Sequence, residues 1–284
     1  MLAAVLFTSG AAAETIGFAV NSDDQREADR LLSIDLDTGQ ARIVGELPNL
    51  LEDVEGVAFD ENGTLFGVDS ATRTLVRVNA ESGAAQSVDG RAGNLGFAPT
   101  AAYDFGLTFT CSGELLLTAE QTQSLYMVDP ESGAARLMGE SGGLGDAMTA
   151  LAAWGENIYA LAAGGNFYRV DKMAGTASLV GRIDAFEITD GGLAFDADGG
   201  LWAITSDFSF DDSRIFRIDP ATAGIQEIAR TRAGIESLAI TGPGGCEPKG
   251  TAPVPVPAGG PLGWLILVAG CAAVAWRRRA LLVT

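Results

Sequence analysis

Six acidic residues recur at one kind of position along this chain: Asp53, Glu55, Asp104, Asp146, Asp190 and Glu236. They stand just ahead of short apolar runs at 57–59, 107–109, 151–154, 193–195 and 238–240. Carboxylates brought together by such a repeat could hold a hard cation such as Ca2+, bind a cationic ligand, or raise one another's pKa. A suitably spaced pair could instead do acid–base chemistry on a glycosidic bond. The same acids could also close turns and face water.

Composition narrows the choice. The chain has no histidine, which removes the usual base of Ser-His and Cys-His sites and every imidazole metal ligand. Any bound ion must therefore be one that prefers oxygen. A formal net charge of −19 repels phosphate backbones and argues against nucleic acid as a partner. Asp60-Glu61-Asn62-Gly63 and Asp196-Ala197-Asp198-Gly199 begin like calcium loops but lack the later glutamate, and they read as hairpin turns.

The elements that must position these acids are short strands in a repeated unit. First strands run at Val57–Asp60, Leu107–Thr110, Leu151–Trp154, Leu193–Asp196 and Leu238–Thr241. Second strands follow at Leu65–Val68, Leu115–Thr118, Ile158–Leu161 and Leu201–Ile204. Third strands end on Asp35, Asn79, Asp129, Asp171 and Asp219, each followed by a turn closing at Gly39, Gly83, Gly133, Gly175 and Gly224. A fourth strand comes after each turn. These third-strand ends recur at a mean spacing of about 46 residues, the length of a four-stranded propeller blade.

The ends of the repeat are complementary. The first unit begins at Ile16–Val20 with a second strand and has no first strand, whereas the last unit is a lone first strand at Leu238–Thr241. Joined, they complete one blade. The expectation is an all-β, five-bladed β-propeller over residues 14–242, its four-stranded blades closed by pairing of the N- and C-terminal strands. First strands line the channel of such a ring, so the six acids should converge at one mouth.

Cys111 and Cys246 each follow a first strand and so belong to the same end of the ring. In an oxidising compartment they could form a disulfide pinning the chain's exit to the third blade. Cys271 reads as a small apolar residue.

Both termini point to export. Residues 1–13 are apolar and end in Ala11-Ala12-Ala13, the pattern of a signal peptide without its basic start. Residues 243–260 are a Pro- and Gly-rich linker. Within 261–284, the uncharged stretch Leu262–Trp276 is a transmembrane helix candidate, and Arg277, Arg278 and Arg279 should stay cytoplasmic.

The motif Val254, Pro255, Val256, Pro257 and Ala258, the apolar stretch and the arginine cluster together resemble the PEP-CTERM sorting signals of Gram-negative bacteria, in their Val-Pro-Leu-Pro-Ala variant. Val256 stands where that variant has leucine. The resemblance implies anchoring in the inner membrane with the propeller outside the cytoplasm. It also implies processing by an exosortase-type protease and release to the cell surface or matrix. The function expected is that of an exported, non-enzymatic propeller binding a polysaccharide or protein ligand. An extracellular, carboxylate-dependent glycoside hydrolase or lyase is the alternative.

Overall fold

A computed structural model describes residues 14–24, 29–48, 51, 53–98, 104–184, 188–206 and 211–246. The signal segment 1–13, most of the linker, the sorting motif and the apolar segment 262–276 lie outside the described residues. Among the described residues no helix is long and apolar enough to cross a membrane.

Five antiparallel sheets carry the chain. Blade 1 holds β1 (Ile16–Val20), β2 (Arg30–Asp35) and β3 (Ala41–Glu46). Blade 2 holds β4 (Val54–Phe59), β5 (Leu65–Asp69), β6 (Thr74–Val78) and β7 (Ala85–Ser87). Blade 3 is β8 (Phe105–Phe109), β9 (Leu115–Ala119), β10 (Ser124–Val128) and β11 (Ala135–Met138). Blade 4 is β12 (Met148–Trp154), β13 (Asn157–Ala162), β14 (Asn166–Asp171) and β15 (Thr176–Arg182). Blade 5 is β16 (Asp190–Phe195), β17 (Leu201–Ser206), β18 (Arg214–Ile218) and β19 (Ile225–Arg230).

Burial rises from the outer strands inward. β4, β8 and β16 are buried at every residue, whereas β3, β15 and β19 are half-exposed edges. An innermost strand packs on both faces and therefore reads as a continuous apolar run.

The apolar core is divided into five clusters, each bridging two neighbouring blades. Leu107 and Phe66 belong to the cluster between blades 2 and 3, Leu151 and Leu116 to that between 3 and 4, and Leu193 and Phe167 to that between 4 and 5. Trp202 and Leu32 join blades 5 and 1, and Val57 and Leu31 join 1 and 2. Five interfaces among five blades require a closed ring.

Closure is made by the two chain ends. Phe18 N–H donates to Ala239 O at 2.6 Å, and Ala239 N–H donates to Phe18 O at 2.8 Å. The lone first strand expected at Leu238–Thr241 is reduced to this single antiparallel bridge. Blade 1 is thus a three-stranded sheet with a bridged fourth segment.

The innermost strands approach unusually closely at one level, where small residues recur: Gly56, Gly106, Ala150, Gly192 and Ser237. A Cβ on Gly192 would lie 2.2 Å from Leu238 N, and one on Gly56 2.7 Å from Phe105 O. The five-fold convergence depends on those missing side chains.

The third-strand turns share one device. Asp35, Asn79, Asp129, Asp171 and Asp219 each accept the backbone N–H two residues on, at 2.9–3.0 Å. Gly39, Gly83, Gly133 and Gly175 then take positive φ. In blade 5 that position is Ala223, with φ 59°, and not Gly224 as the sequence alignment places it. The bond from Ala223 N–H to Asp219 O fixes this register.

Candidate functional site

The upper mouth is the end at which β4, β8, β12 and β16 begin. Asp53 and Glu55 sit there at the start of β4, where the register with β5 slips between Val54 and Val57. Such a bulge re-aims side chains, and Glu55 lies inside it. Glu236 arrives on the segment that closes blade 1. Asp53, Glu55 and Glu236 each bring a carboxylate oxygen within 4.8 Å of the others.

These acids are held in place by neighbouring blades. Glu55 Oε2 accepts Phe105 N–H at 2.8 Å, tying blade 2 to blade 3. Glu236 Oε2 accepts the Ser22 hydroxyl at 3.0 Å, and Asp53 accepts the hydroxyl of Ser70. Asp190, the first residue of β16, accepts Gly191 N–H at 2.6 Å. Glu55, Asp190 and Glu236 are 3%, 6% and 6% exposed. The Thr149 hydroxyl, also buried, sits beside Asp190 with no other hydrogen-bond partner.

Burial and mutual repulsion make protonation of the cluster easier. Burial pushes the Glu55 carboxyl well above its usual range, and the charges of Asp104, Asp190, Asp53 and Glu236 add to it. Asp190 is raised in the same way, by burial and then by Asp104. Glu236 is pushed up to about 11 by burial, by Asp190 and by Asp23. Glu120 rises to about 7 through burial and its hydrogen bond with Asp104. Asp53 is raised by burial, against the opposing bond from Ser70.

Among the described residues, no lysine or arginine forms an ion pair with Asp53, Glu55, Asp104, Glu120, Asp190 or Glu236. Arg232 pairs with Asp24 at 3.6 Å. A space of about 10 Å³ lies beneath the cluster, lined by Gly56, Phe105, Gly106, Thr149, Gly191 and Glu236. That is room for a water or an ion.

Five of the six sequence-derived acids therefore gather. Asp146 does not. Its Oδ2 accepts Asn166 Nδ2 at 2.9 Å and the Tyr168 hydroxyl at 2.7 Å, both from β14. Burial alone would raise its pKa, but these bonds and the Ala147 N–H hold it below the usual range. Tyr168, half-buried and bonded to that carboxylate, is pushed up to about 12. The reason for the correction is spacing: Asp104 and Asp190 stand three residues before their leucines, Asp146 five before Leu151. Blade 4 presents Thr149 at the position of Glu55 and Glu236.

Asp23 and Glu120 were not legible from the repeat. Asp23 follows β1, and Glu120 opens a short 3-10 turn, Glu120–Thr122, after β9. Both lie outside the first strands, so aligning those strands gives no signal for them.

At the lower end Cys111 and Cys246 form a disulfide, their Cα atoms 5.3 Å apart. Asp60 and Asp196 act as turn acids. Asp60 Oδ1 accepts Asn62 N–H and Thr64 N–H, both at 2.8 Å. Asp196 accepts Gly200 N–H at 2.7 Å and also Trp202 Nε1–H at 2.9 Å.

No family model matches the chain, and no curated protein matches it. Solved structures do. Virginiamycin B lyase from Staphylococcus aureus is similar at 16% identity over 75% of this chain and 69% of its own, with a TM-score of 0.44. A chain in a nidogen/laminin complex shares 13% identity over 80% of this chain and 97% of its own, with a TM-score of 0.52. A protein of unknown function from Bacteroides caccae shares 11% over 80% and 98%, with a TM-score of 0.50. At such identities a likeness speaks to fold alone, and the last two, together with the five sheets, make this chain a five-bladed β-propeller.

Proposed function

We propose that this protein is an exported, non-enzymatic binding propeller whose upper mouth holds a divalent cation, with Ca2+ the best chemical match. The observation that carries this reading is the approach of Asp53, Glu55 and Glu236 oxygens to within 4.8 Å without a basic partner among the described residues. Hard oxygen donors suit Ca2+, and a bound cation would supply the missing positive charge. The Ser22 hydroxyl, 3.0 Å from Glu236 Oε2, would add a further oxygen beside the three, and the charges of Asp104 and Asp190 act on Glu55 from nearby. A polysaccharide or protein ligand would then be held at this mouth through the cation and the surrounding acids.

Binding is preferred to hydrolysis or lysis on steric grounds. Glu55, Asp190 and Glu236 are almost fully buried, Asp53 is half-buried, and the space beside them is about 10 Å³. A glycosidic bond needs two carboxylates on either side of an accessible sugar ring. The fold itself does not choose between these activities.

Calorimetric titration of the chelator-treated protein with Ca2+ tests the reading. Heat release and a raised melting temperature, both reduced by Glu55→Gln or Glu236→Gln, are expected. No heat and no thermal shift would overturn it. The reading of the C-terminal segment as a membrane anchor has its own test. Deleting residues 259–284 should release the propeller into the soluble fraction, and continued membrane fractionation would contradict the anchor.

A further inference from the structure

The lower end of the ring is closed by the chain's own exit. After Ile240 the backbone runs Thr241-Gly242-Pro243-Gly244-Gly245-Cys246 beneath the innermost strands. The residues from Pro243, which composition assigns to the linker, belong to the compact unit ending at Cys246. Gly155 N–H donates to Gly244 O at 2.8 Å. Gly244 and Gly245 lie flat on the Trp154 ring, so close that a Cβ on either would come within 2.4–2.6 Å of ring atoms. The segment crosses from blade 1 to blade 4 and ends bonded to Cys111 of blade 3.

Above this strap is an apolar cup. Phe59, Phe109, Ala153, Phe195 and Ile240 line it together with Pro243 and Gly244, and the strap leaves only about 30 Å³ free. Trp154 and Phe195 pack at 5.5 Å between ring centroids. Among the described residues the strap is held noncovalently by the Gly155–Gly244 backbone hydrogen bond, by glycine–tryptophan contact, by Gly242 against the Asp60 carbonyl and by Pro243 at the cup. Three glycines in six residues gain much backbone entropy on release.

We propose that the Cys111–Cys246 disulfide is a redox latch on this floor. Oxidised, it holds the strap across the lower mouth. A dithiol reductant opens it: a thiolate attacks exposed Cys246 Sγ and expels the Cys111 thiolate, which takes up a proton. The reductant's second thiol then displaces Cys246 and becomes oxidised to the reductant's own disulfide. Two electrons and two protons thus pass to the protein. The freed strap swings away, and the aromatic cup becomes a site for a small apolar ligand.

The test uses the full chain, with an environment-sensitive apolar dye as probe and acrylamide quenching of Trp154 as the second readout. A Trp154→Phe variant identifies that residue's share of the fluorescence. Dithiothreitol treatment, or Cys246→Ser without reductant, should raise dye fluorescence several-fold and increase Trp154 quenching while the far-ultraviolet circular dichroism stays unchanged. Unchanged quenching and dye signal, with both thiols shown free by mass spectrometry, would overturn the proposal. Loss of the β-sheet spectrum on reduction would overturn it as well, because the disulfide would then hold the fold rather than the floor.

Discussion

Phe18 and Ala239, from opposite ends of the propeller sequence, exchange both backbone hydrogen bonds of the bridge that closes the ring, at 2.6 and 2.8 Å. The Phe18 ring also packs edge-on against Phe59 of blade 2, with centroids 5.5 Å apart. The strand pairing at the seam is therefore narrow, and it is supplemented by apolar contact and by the bond from Val20 N–H to Ser237 Oγ at 2.9 Å. Ala239→Pro removes one donor and leaves the Phe18 carbonyl unsatisfied, a loss of about 2 kcal/mol. For a domain of this size that lowers the melting temperature by about 4–8 °C. A thermal melt by circular dichroism reads the change, and no shift would mean that this backbone pair does not hold the seam.

Gly192 makes the convergence of the innermost strands testable. Its missing Cβ would lie 2.2 Å from both Leu238 N and Ser237 C, which are backbone atoms that cannot swing aside as a side chain can. Gly192→Ala should cost about 3 kcal/mol, the upper range for overpacking. A denaturant titration with an unchanged midpoint would show that blades 5 and 1 can separate freely.

The sequence shows where the strands are because each turn carries its own chemistry. The aspartates ending four of the third strands, and Asn79 ending that of blade 2, appear as turn acceptors, and β1 spans the residues expected of a second strand. What the sequence conceals lies at the inner mouth. The bulge between Val54 and Val57 leaves no mark on composition, yet it sets the aim of Glu55. Asp146 fits the recurrence of acids but not its spacing, and two extra residues send it to Tyr168 rather than to the mouth. Asp23 reaches the cluster through the closure of the ring, where its N–H meets Gly234 O, and Glu120 through the pairing of β9 with β8, which sets its N–H on Asp104 O. Neither position belongs to the first strands that the repeat aligns.

The mouth acids dictate how stability depends on pH. Their folded pKa values are raised, so the folded state holds protons that the unfolded chain releases. That contribution is fully present below the ordinary carboxylate range. It is lost as pH rises through the folded values, past about 7 for Glu120 and on to about 11 for Glu236. Turn acids such as Asp129 and Asp219 are shifted down by the N–H groups they accept, so their stabilisation is present above the ordinary carboxylate range and is lost as pH falls below it. Chelator-treated protein should therefore melt at a lower temperature at pH 9 than at pH 5, and Glu236→Gln should flatten the slope. Ca2+ added at pH 8 should recover the loss. A melting temperature that rises from pH 5 to pH 9 without metal would contradict this account.

Ala223 holds a left-handed φ of 59° in a turn whose four counterparts use glycine there. An L-residue in that region is strained by about 1–2 kcal/mol. Replacement by glycine relieves the strain but gives up one buried methyl and loosens the unfolded chain. Because Ala223 is only 5% exposed and belongs to the apolar cluster that blades 4 and 5 share, the methyl's loss cancels much of the relief. Ala223→Gly should therefore stabilise the protein by about 0.5 kcal/mol, or about 1–2 °C in melting temperature. Gly224 has no positive φ, and the one atom near its missing Cβ is Thr222 Oγ1 at 3.2 Å. Gly224→Ala should accordingly be neutral within about 0.5 kcal/mol. Paired thermal melts of the two variants decide the register of this turn: if Gly224→Ala is the damaging change and Ala223→Gly is neutral, the left-handed residue is Gly224.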